Sequence, residues 1–298
     1  MTDRRVDPRV LAAFGIVVLL FGSGWVAVRF SNEELPPFWG AAVRFFGAAA
    51  ILFAVLRSRG IPLPRGRALT AALIYGALTF GLNFGLLYWA LVEVPAGMTS
   101  VTFATLPLMT LGMSVWAGYE RLRPTNVLGA LLAIAGLALI FRDQITAAVP
   151  PERLAAVLLG AALAGAATVV VKGFPRTHPV ATNATAMLVG AVLLLAVSFA
   201  IGEPREMPRS TATWLALGWL VASSVVVFVL LVWVILRWSP SASSYSAVLA
   251  PVITVVLATA LAGEVFGPTF FIGAAVVGIG VYVGAIIGTG YASGTAPS

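Results

Sequence analysis

The sequence predicts an all-α membrane protein of ten transmembrane helices, arranged as two inverted five-helix repeats. Three observations lead there: a composition too apolar for a water-soluble domain, ten apolar stretches, and a register in which the chain lies over itself. Of 298 residues, 60% are hydrophobic and 10% are charged, and the mean hydropathy is +1.01. Soluble domains carry roughly 25% charged residues. A soluble enzyme, a nucleic-acid-binding protein and a disordered chain are therefore poor matches, and no nucleic-acid partner is expected. The net charge of +7 reads as basic loops beside a membrane. With no cysteine in the chain, disulfides and thiolate chemistry are excluded.

The spans follow in order. The first, Val10–Val28, resembles a leader, but it runs into Arg29-Phe30-Ser31-Asn32-Glu33-Glu34 with no small-x-small cleavage site, so it reads as a retained helix. The second, Pro37–Leu56, holds Arg44, and the third, Ala68–Leu91, follows the basic loop around Arg65 and Arg67. The fourth, Gly97–Gly118, has Pro107 at its middle. The fifth, Val127–Phe141, is short and could extend at its N-terminal end. The rest are Leu154–Val171, Ala181–Ile201, Thr213–Leu236, Ala242–Gly263 with Pro251 at its middle, and Thr269–Thr289. All but the fifth can cross roughly 30 Å of hydrocarbon as helices. Helices are needed because lipid offers the backbone no hydrogen-bond partners.

Loop charge sets the orientation. With the N-terminus inside, the inner segments hold twelve basic residues: Arg4, Arg5, Arg9, Arg57, Arg59, Arg65, Arg67, Arg121, Arg123, Lys172, Arg176 and Arg237. The outer segments hold five: Arg29, Arg142, Arg153, Arg205 and Arg209. The excess favours both termini on the cytoplasmic side.

The chain also lies over itself. Phe84-Gly85-Leu86-Leu87-Tyr88-Trp89 falls on Phe228-Val229-Leu230-Leu231-Val232-Trp233, an offset of 144. In the same register Ser100 meets Ser244, Pro107 meets Pro251, Glu120 meets Glu264, Pro124 meets Pro268, Gly129 meets Gly273 and Gly136 meets Gly280. Nearer the front the offset is 143: Gly22 meets Gly165, Arg29 meets Lys172, and Pro36 meets Pro179. The two copies cover 1–148 and 149–298. Each holds five spans, and five is odd, so the second copy enters from the opposite face. Inverted repeats of this kind are a transporter arrangement, although some channels share it.

The segment Leu106-Pro107, Gly118-Tyr119-Glu120-Arg121-Leu122-Arg123-Pro124, Gly129 and Gly136 has the echo Ala250-Pro251, Gly263-Glu264, Pro268, Gly273 and Gly280. Together they resemble the duplicated unit of the drug/metabolite transporter superfamily, EamA type, over nearly the whole chain. The resemblance implies ten helices, cytoplasmic termini, a bacterial inner-membrane location and export of small metabolites. Within the superfamily the chain is most similar to the bacterial aromatic amino acid exporters. One departure is that Val265-Phe266-Gly267 stands where the first copy has Arg121-Leu122-Arg123, as expected of a loop on the outer side.

Corresponding interrupted helices in two inverted halves mark a binding site. Pro107 and Pro251 each remove an N–H and displace the carbonyl four residues back. The freed carbonyls are those of Phe103 and Ala247, which suit an ammonium donor. Thr99 and Ser100 correspond to Ser243 and Ser244 and sit nearby. The alternative is that the prolines only kink packed helices and the hydroxyls cap carbonyls. In the third span Tyr75, Thr79 and Asn83 recur every four residues on one helix face. Trp219 and Ser223 match the first two of them in the eighth span. Such a polar-aromatic stripe is expected to face inward, or to hold the bundle by interhelical hydrogen bonds. Trp25, after Gly22-Ser23-Gly24, is a further candidate wall residue. Arg44 is the only ionised residue well inside a span, and placing it there costs at least about 2.5 kcal/mol. It is either the partner of a substrate carboxylate or a structural arginine directed toward Glu33 or Glu34. Its repeat equivalent is Met187.

The glycines at 129, 136, 273 and 280 read as close helix packing, and Glu120 and Glu264 as braces of helix ends. No Asp or Glu lies well inside a span, and the single histidine, His178, is in a loop. An intramembrane enzyme would need a nucleophile–base pair, a metal cluster or a carboxylate dyad, so the chain reads as no enzyme, with no cofactor and no metal site. The same scarcity argues against polyphosphate and multivalent cationic substrates. The expectation is a secondary transporter that exports neutral and aromatic amino acids by alternating access around a central cavity. The alternative is an exporter of lipophilic drugs or another neutral metabolite. The partners are then the small-molecule substrate and membrane lipid; the oligomeric state is left open, a monomer being plausible.

Overall fold

In a computed structural model, residues 6–145, 148–262 and 267–288 are described, and among them the chain is all helical. The helices are α1 (Pro8–Ser31), α2 (Pro37–Arg59) and α3 (Arg67–Leu91), then α4 in two pieces (Ala96–Phe103 and Leu106–Trp116). They continue as α5 (Pro124–Ile140), α6 (Pro151–Gly173), α7 (Pro179–Ala200), α8 (Thr211–Arg237), α9 (Pro240–Ala262) and α10 (Pro268–Val281, continuing as a π-helix over Tyr282–Ile287). Nine of these, among the described residues, are long and apolar enough to cross a membrane, and α5 is the short tenth. α5 starts at Pro124, earlier than its apolar run at Val127, so the short span extends at its N-terminal end.

Local chemistry sets the helix starts. α1, α2, α5, α6, α7 and α10 open on proline, whose fixed φ suits the first turn and whose missing N–H is not needed there. Asp7 accepts from Arg9 N at 2.8 Å, and Ser210 Oγ accepts from Thr213 N at 3.1 Å, capping α1 and α8. α2 stops at Gly60, whose φ of 63° is in the left-handed region.

Packing partners come in matched sets. α1 lies against α8 and α9, while α6 lies against α3 and α4; α2 pairs with α7, and α5 with α10. Small residues allow the closest approaches. A Cβ on Gly136 would stand 2.7 Å from Gly273 O, and one on Gly280 would stand 2.6 Å from Gly129 O. Backbone therefore lies on backbone between α5 and α10, a geometry that only glycine allows. Gly22 on α1 likewise sits against Ile253 and the Ala250 carbonyl of α9. The largest buried cluster, around Phe45, Phe80, Phe228 and Met187, joins α2, α3, α7 and α8. The outer surface exposes Leu19, Leu131, Leu215 and Phe271, side chains that a lipid surround covers.

The two expected proline interruptions differ. α4 breaks at Ala104 and Thr105, just before Pro107, while α9 runs unbroken through Pro251. At the α4 break Thr105 N turns back to Thr102 O at 3.3 Å, and Thr105 Oγ1 donates to the same carbonyl at 2.8 Å. The turn is tightened by a threonine that competes for backbone acceptors. In α9 the position matching Thr105 is Leu249, which has no hydroxyl to compete; Thr254, the match of Thr110, donates through Oγ1 to Gly22 O at 2.9 Å and to Ala250 O at 3.0 Å, tying the helix to α1. α3 departs differently, with a π-helical stretch over Ala77–Asn83. Such wide turns occur often at functional sites.

Candidate functional site

A cavity of about 120 Å³ lies where α1, α2, α3, α4, α6, α8 and α9 converge. Most of its wall is apolar. Arg44, Tyr75, Thr79, Asn83, Phe103, Ser223, Ser243, Ser244 and Ala247 all line it. The sequence had singled out each of these. Tyr75, Thr79 and Asn83 stay on the cavity side across the π-helical stretch, as residues four apart share a helix face. Phe103 and Ala247, the residues whose carbonyls the prolines release, both line this space, one from α4 and one from α9. Pro107 and Pro251 themselves stand just behind the wall, each one residue beyond the lining Leu106 and Ala250.

Other expected positions are elsewhere. Thr99 is buried beside the cavity without lining it, and Ser100 is half-buried on the same helix piece. Trp219 is not turned inward: it is 45% exposed, and its Nε1 donates to Ser23 Oγ at 3.2 Å. The reason is the π-helical stretch in α3. It has no counterpart in α8, so equal register in the repeat does not give equal facing. The side chain of Trp25, and Glu264, lie outside the described residues. Glu120 braces a helix end as expected: its carboxylate accepts from both Ser241 N (3.0 Å) and Ser241 Oγ, at the start of α9. Trp238, at the end of α8, is buried edge-on against Phe14, with centroids 5.4 Å apart.

Arg44 is 6% exposed and is the only charged residue among the described residues that line the cavity. It does not reach Glu33 or Glu34. The Glu34 carboxylate instead accepts from Arg209 N at 2.6 Å and Ser210 N at 3.2 Å, capping α8 from across the bundle. Hydrogen bonds from Ser210 and Arg209 hold the Glu34 carboxyl below its usual range. Arg44 Nε donates to Ser224 Oγ at 2.8 Å, and its guanidinium carbon lies 5.2 Å from the Phe45 ring centre and 5.6 Å from that of Phe84. Among the described residues no carboxylate lies within 4.0 Å of it. The charge is therefore held by one hydroxyl and two ring faces.

Two further groups went unnoticed as site residues. Phe84 and Phe228 both line the cavity, with ring centres 6.0 Å apart at 74°. They occupy equivalent positions, and their signal was the repeat register itself, in which one lies on the other. Ser224, which holds Arg44, had no signal: a lone serine in an apolar helix reads as packing.

Apolar helices packed around a mostly apolar internal cavity with a few polar groups define a polytopic membrane carrier in general form. The chain belongs to the EamA-like transporter family, which matches residues 9–142 and 153–285. The inner membrane transporter YedA of Escherichia coli is 31% identical over 268 residues, covering 89% of this chain and 86% of YedA. A protein of Streptantibioticus cattleyicolor named a probable terminal-alkyne amino-acid exporter is 28% identical over 274 residues, covering 88% of this chain and 89% of its own. A crystal structure at 22% identity superposes with a TM-score of 0.79, covering 92% of this chain and 96% of that one. The protein is thus a multi-pass membrane transporter, and the relatives named here are transporters rather than enzymes.

Proposed function

We propose that the protein exports neutral amino acids, aromatic ones included, across the bacterial inner membrane. Arg44 carries this reading: it is a buried cation without a carboxylate partner, set in the wall of an otherwise uncharged cavity. A buried charge left unpaired is costly. A substrate carboxylate supplies the missing partner, and the remaining guanidinium N–H groups suit its planar geometry. The released carbonyls of Phe103 and Ala247 accept from the substrate ammonium, and Phe84 and Phe228 offer ring faces and edges to its side chain. A zwitterion fits these groups with one net positive charge on the wall. The name of the Streptantibioticus relative points to the same substrate class.

The mechanism proposed is alternating access by two inverted repeats, 1–148 and 149–298, with both termini cytoplasmic. The matched packing supports it: α1 against α8 and α9 corresponds to α6 against α3 and α4 when five helices are added or subtracted. The two copies then rock about the cavity, with the packed α2–α7 pair and the glycine contacts of α5–α10 as pivots.

The apolar share of the wall favours a second reading, export of lipophilic compounds. Counterflow in proteoliposomes separates the two. Liposomes preloaded with unlabelled phenylalanine should take up labelled phenylalanine transiently above equilibrium. Failure of counterflow by phenylalanine, together with saturable transport of an uncharged dye, would select the second reading.

A further inference from the structure

The Arg44–Ser224 pair crosses the bundle, from α2 to α8, and has no equivalent in the other copy, where Met187 and Phe80 stand at the matching positions. Ser224 is fully buried, and its hydroxyl has a single direction available: Oγ donates to Leu220 O at 2.6 Å, which leaves its lone pairs for Arg44 Nε. Ser224 does not itself line the cavity, whereas Arg44 does. With Nε fixed on the protein side and the guanidinium carbon lodged near Phe45 and Phe84, the far edge of the planar guanidinium is turned away from the bonded hydroxyl.

We propose that Ser224 is the positioning residue for Arg44, and that through it the cavity discriminates substrates by the presence of a single carboxylate. Ser224 touches no substrate. It sets the angle at which a flexible, otherwise unpaired cation presents its two terminal nitrogens, an orientation that bidentate recognition requires. The proposal rests on the reading that Arg44 meets the substrate carboxylate.

The test compares phenylalanine with phenethylamine, the same side chain and amine without the carboxylate, as competing substrates in proteoliposomes. In the native protein the acid-to-amine rate ratio is well above one. Ser224→Ala lowers that ratio about tenfold, the scale of one hydrogen bond to a charged group. Ser224→Thr, which keeps the hydroxyl, preserves it. A merely structural serine lowers both rates together and leaves the ratio unmoved, and that result overturns the proposal. If Ser224→Ala does not fold, Ser224→Thr and Ser224→Cys carry the test, since only the stronger acceptor retains the native ratio; equal ratios overturn it. Arg44→Met separates the two levels. If it abolishes the preference while Ser224→Ala does not, only the positioning role fails. If it leaves the preference intact, the carboxylate reading fails as well.

Discussion

Replacing Arg44 tests the site at its centre. Arg44→Met is the most informative change, because methionine has a similar reach and already occupies the equivalent position, Met187, in the other copy. Arg44 Nε is committed to Ser224 at 2.8 Å, and the remaining N–H groups are available to a carboxylate. Losing a charge-assisted hydrogen bond costs about 1.5–3 kcal/mol, which corresponds to about 10- to 150-fold in affinity at about 1.4 kcal/mol per tenfold. Initial-rate measurements in proteoliposomes should show KM for phenylalanine rising on that scale. Arg44→Lys keeps the charge but loses the planar fork, so it should fall between the native protein and Arg44→Ala. Stability moves the other way. An unpaired charge leaves a buried site in Arg44→Met, so the melting temperature of the detergent-purified protein should hold or rise. An unchanged KM, or equal effects of Arg44→Lys and Arg44→Ala, would refute a charge role. A collapse of Arg44→Met stability would point instead to a structural arginine.

The other expectations concern the helices that carry the site. Pro107→Ala restores a backbone donor to α4 at its break and should slow transport while the protein still inserts; undiminished flux removes the role given to the released Phe103 carbonyl. Gly136→Val forces a side chain toward a backbone oxygen that a Cβ would already meet at 2.7 Å, so α5 and α10 must separate. Thermal unfolding should show a clear loss of stability, on the order of 1–3 kcal/mol or more. Glu34 has its folded pKa depressed by Ser210 and Arg209. Its stabilising contribution is therefore present above its ordinary titration range and is lost as pH falls through the depressed value. Glu34→Gln should lower the melting temperature near neutral pH, and the difference should shrink toward acid pH.

Much of the architecture is visible in the residues because lipid enforces it. A span must be apolar, helical and long enough, so the stretches around Val10, Pro37 and Thr213 declare themselves. Pro124 and Pro268 mark starts, and Gly129, Gly136, Gly273 and Gly280 fall where α5 and α10 touch. Polar residues in such a chain are few, so Arg44, Tyr75, Thr79 and Asn83 stand out, and all four line the cavity. What stays hidden depends on helix rotation. Trp219 shares its register with Tyr75, but the π-helical stretch at Ala77–Asn83 has no match in α8 and changes the angle from Thr79 back to Tyr75, so the tryptophan is 45% exposed while Ser223 and Phe228 still line the cavity. Pro107 and Pro251 are alike in sequence, yet α4 breaks and α9 does not: Thr105 bonds back to its own turn, and Leu249 at the matching position has no hydroxyl to do so. Ser224 has no pattern at all. It acts through a partner 180 residues away, a separation that no local spacing encodes.

The most direct measurement is a density map of the protein in lipid nanodiscs with saturating phenylalanine. The account predicts the amino acid in the cavity, its carboxylate on Arg44, its ammonium toward the Phe103 and Ala247 carbonyls, and its ring against Phe84 and Phe228. A ligand bound elsewhere, or a centre with no space for one between the helices, would contradict it.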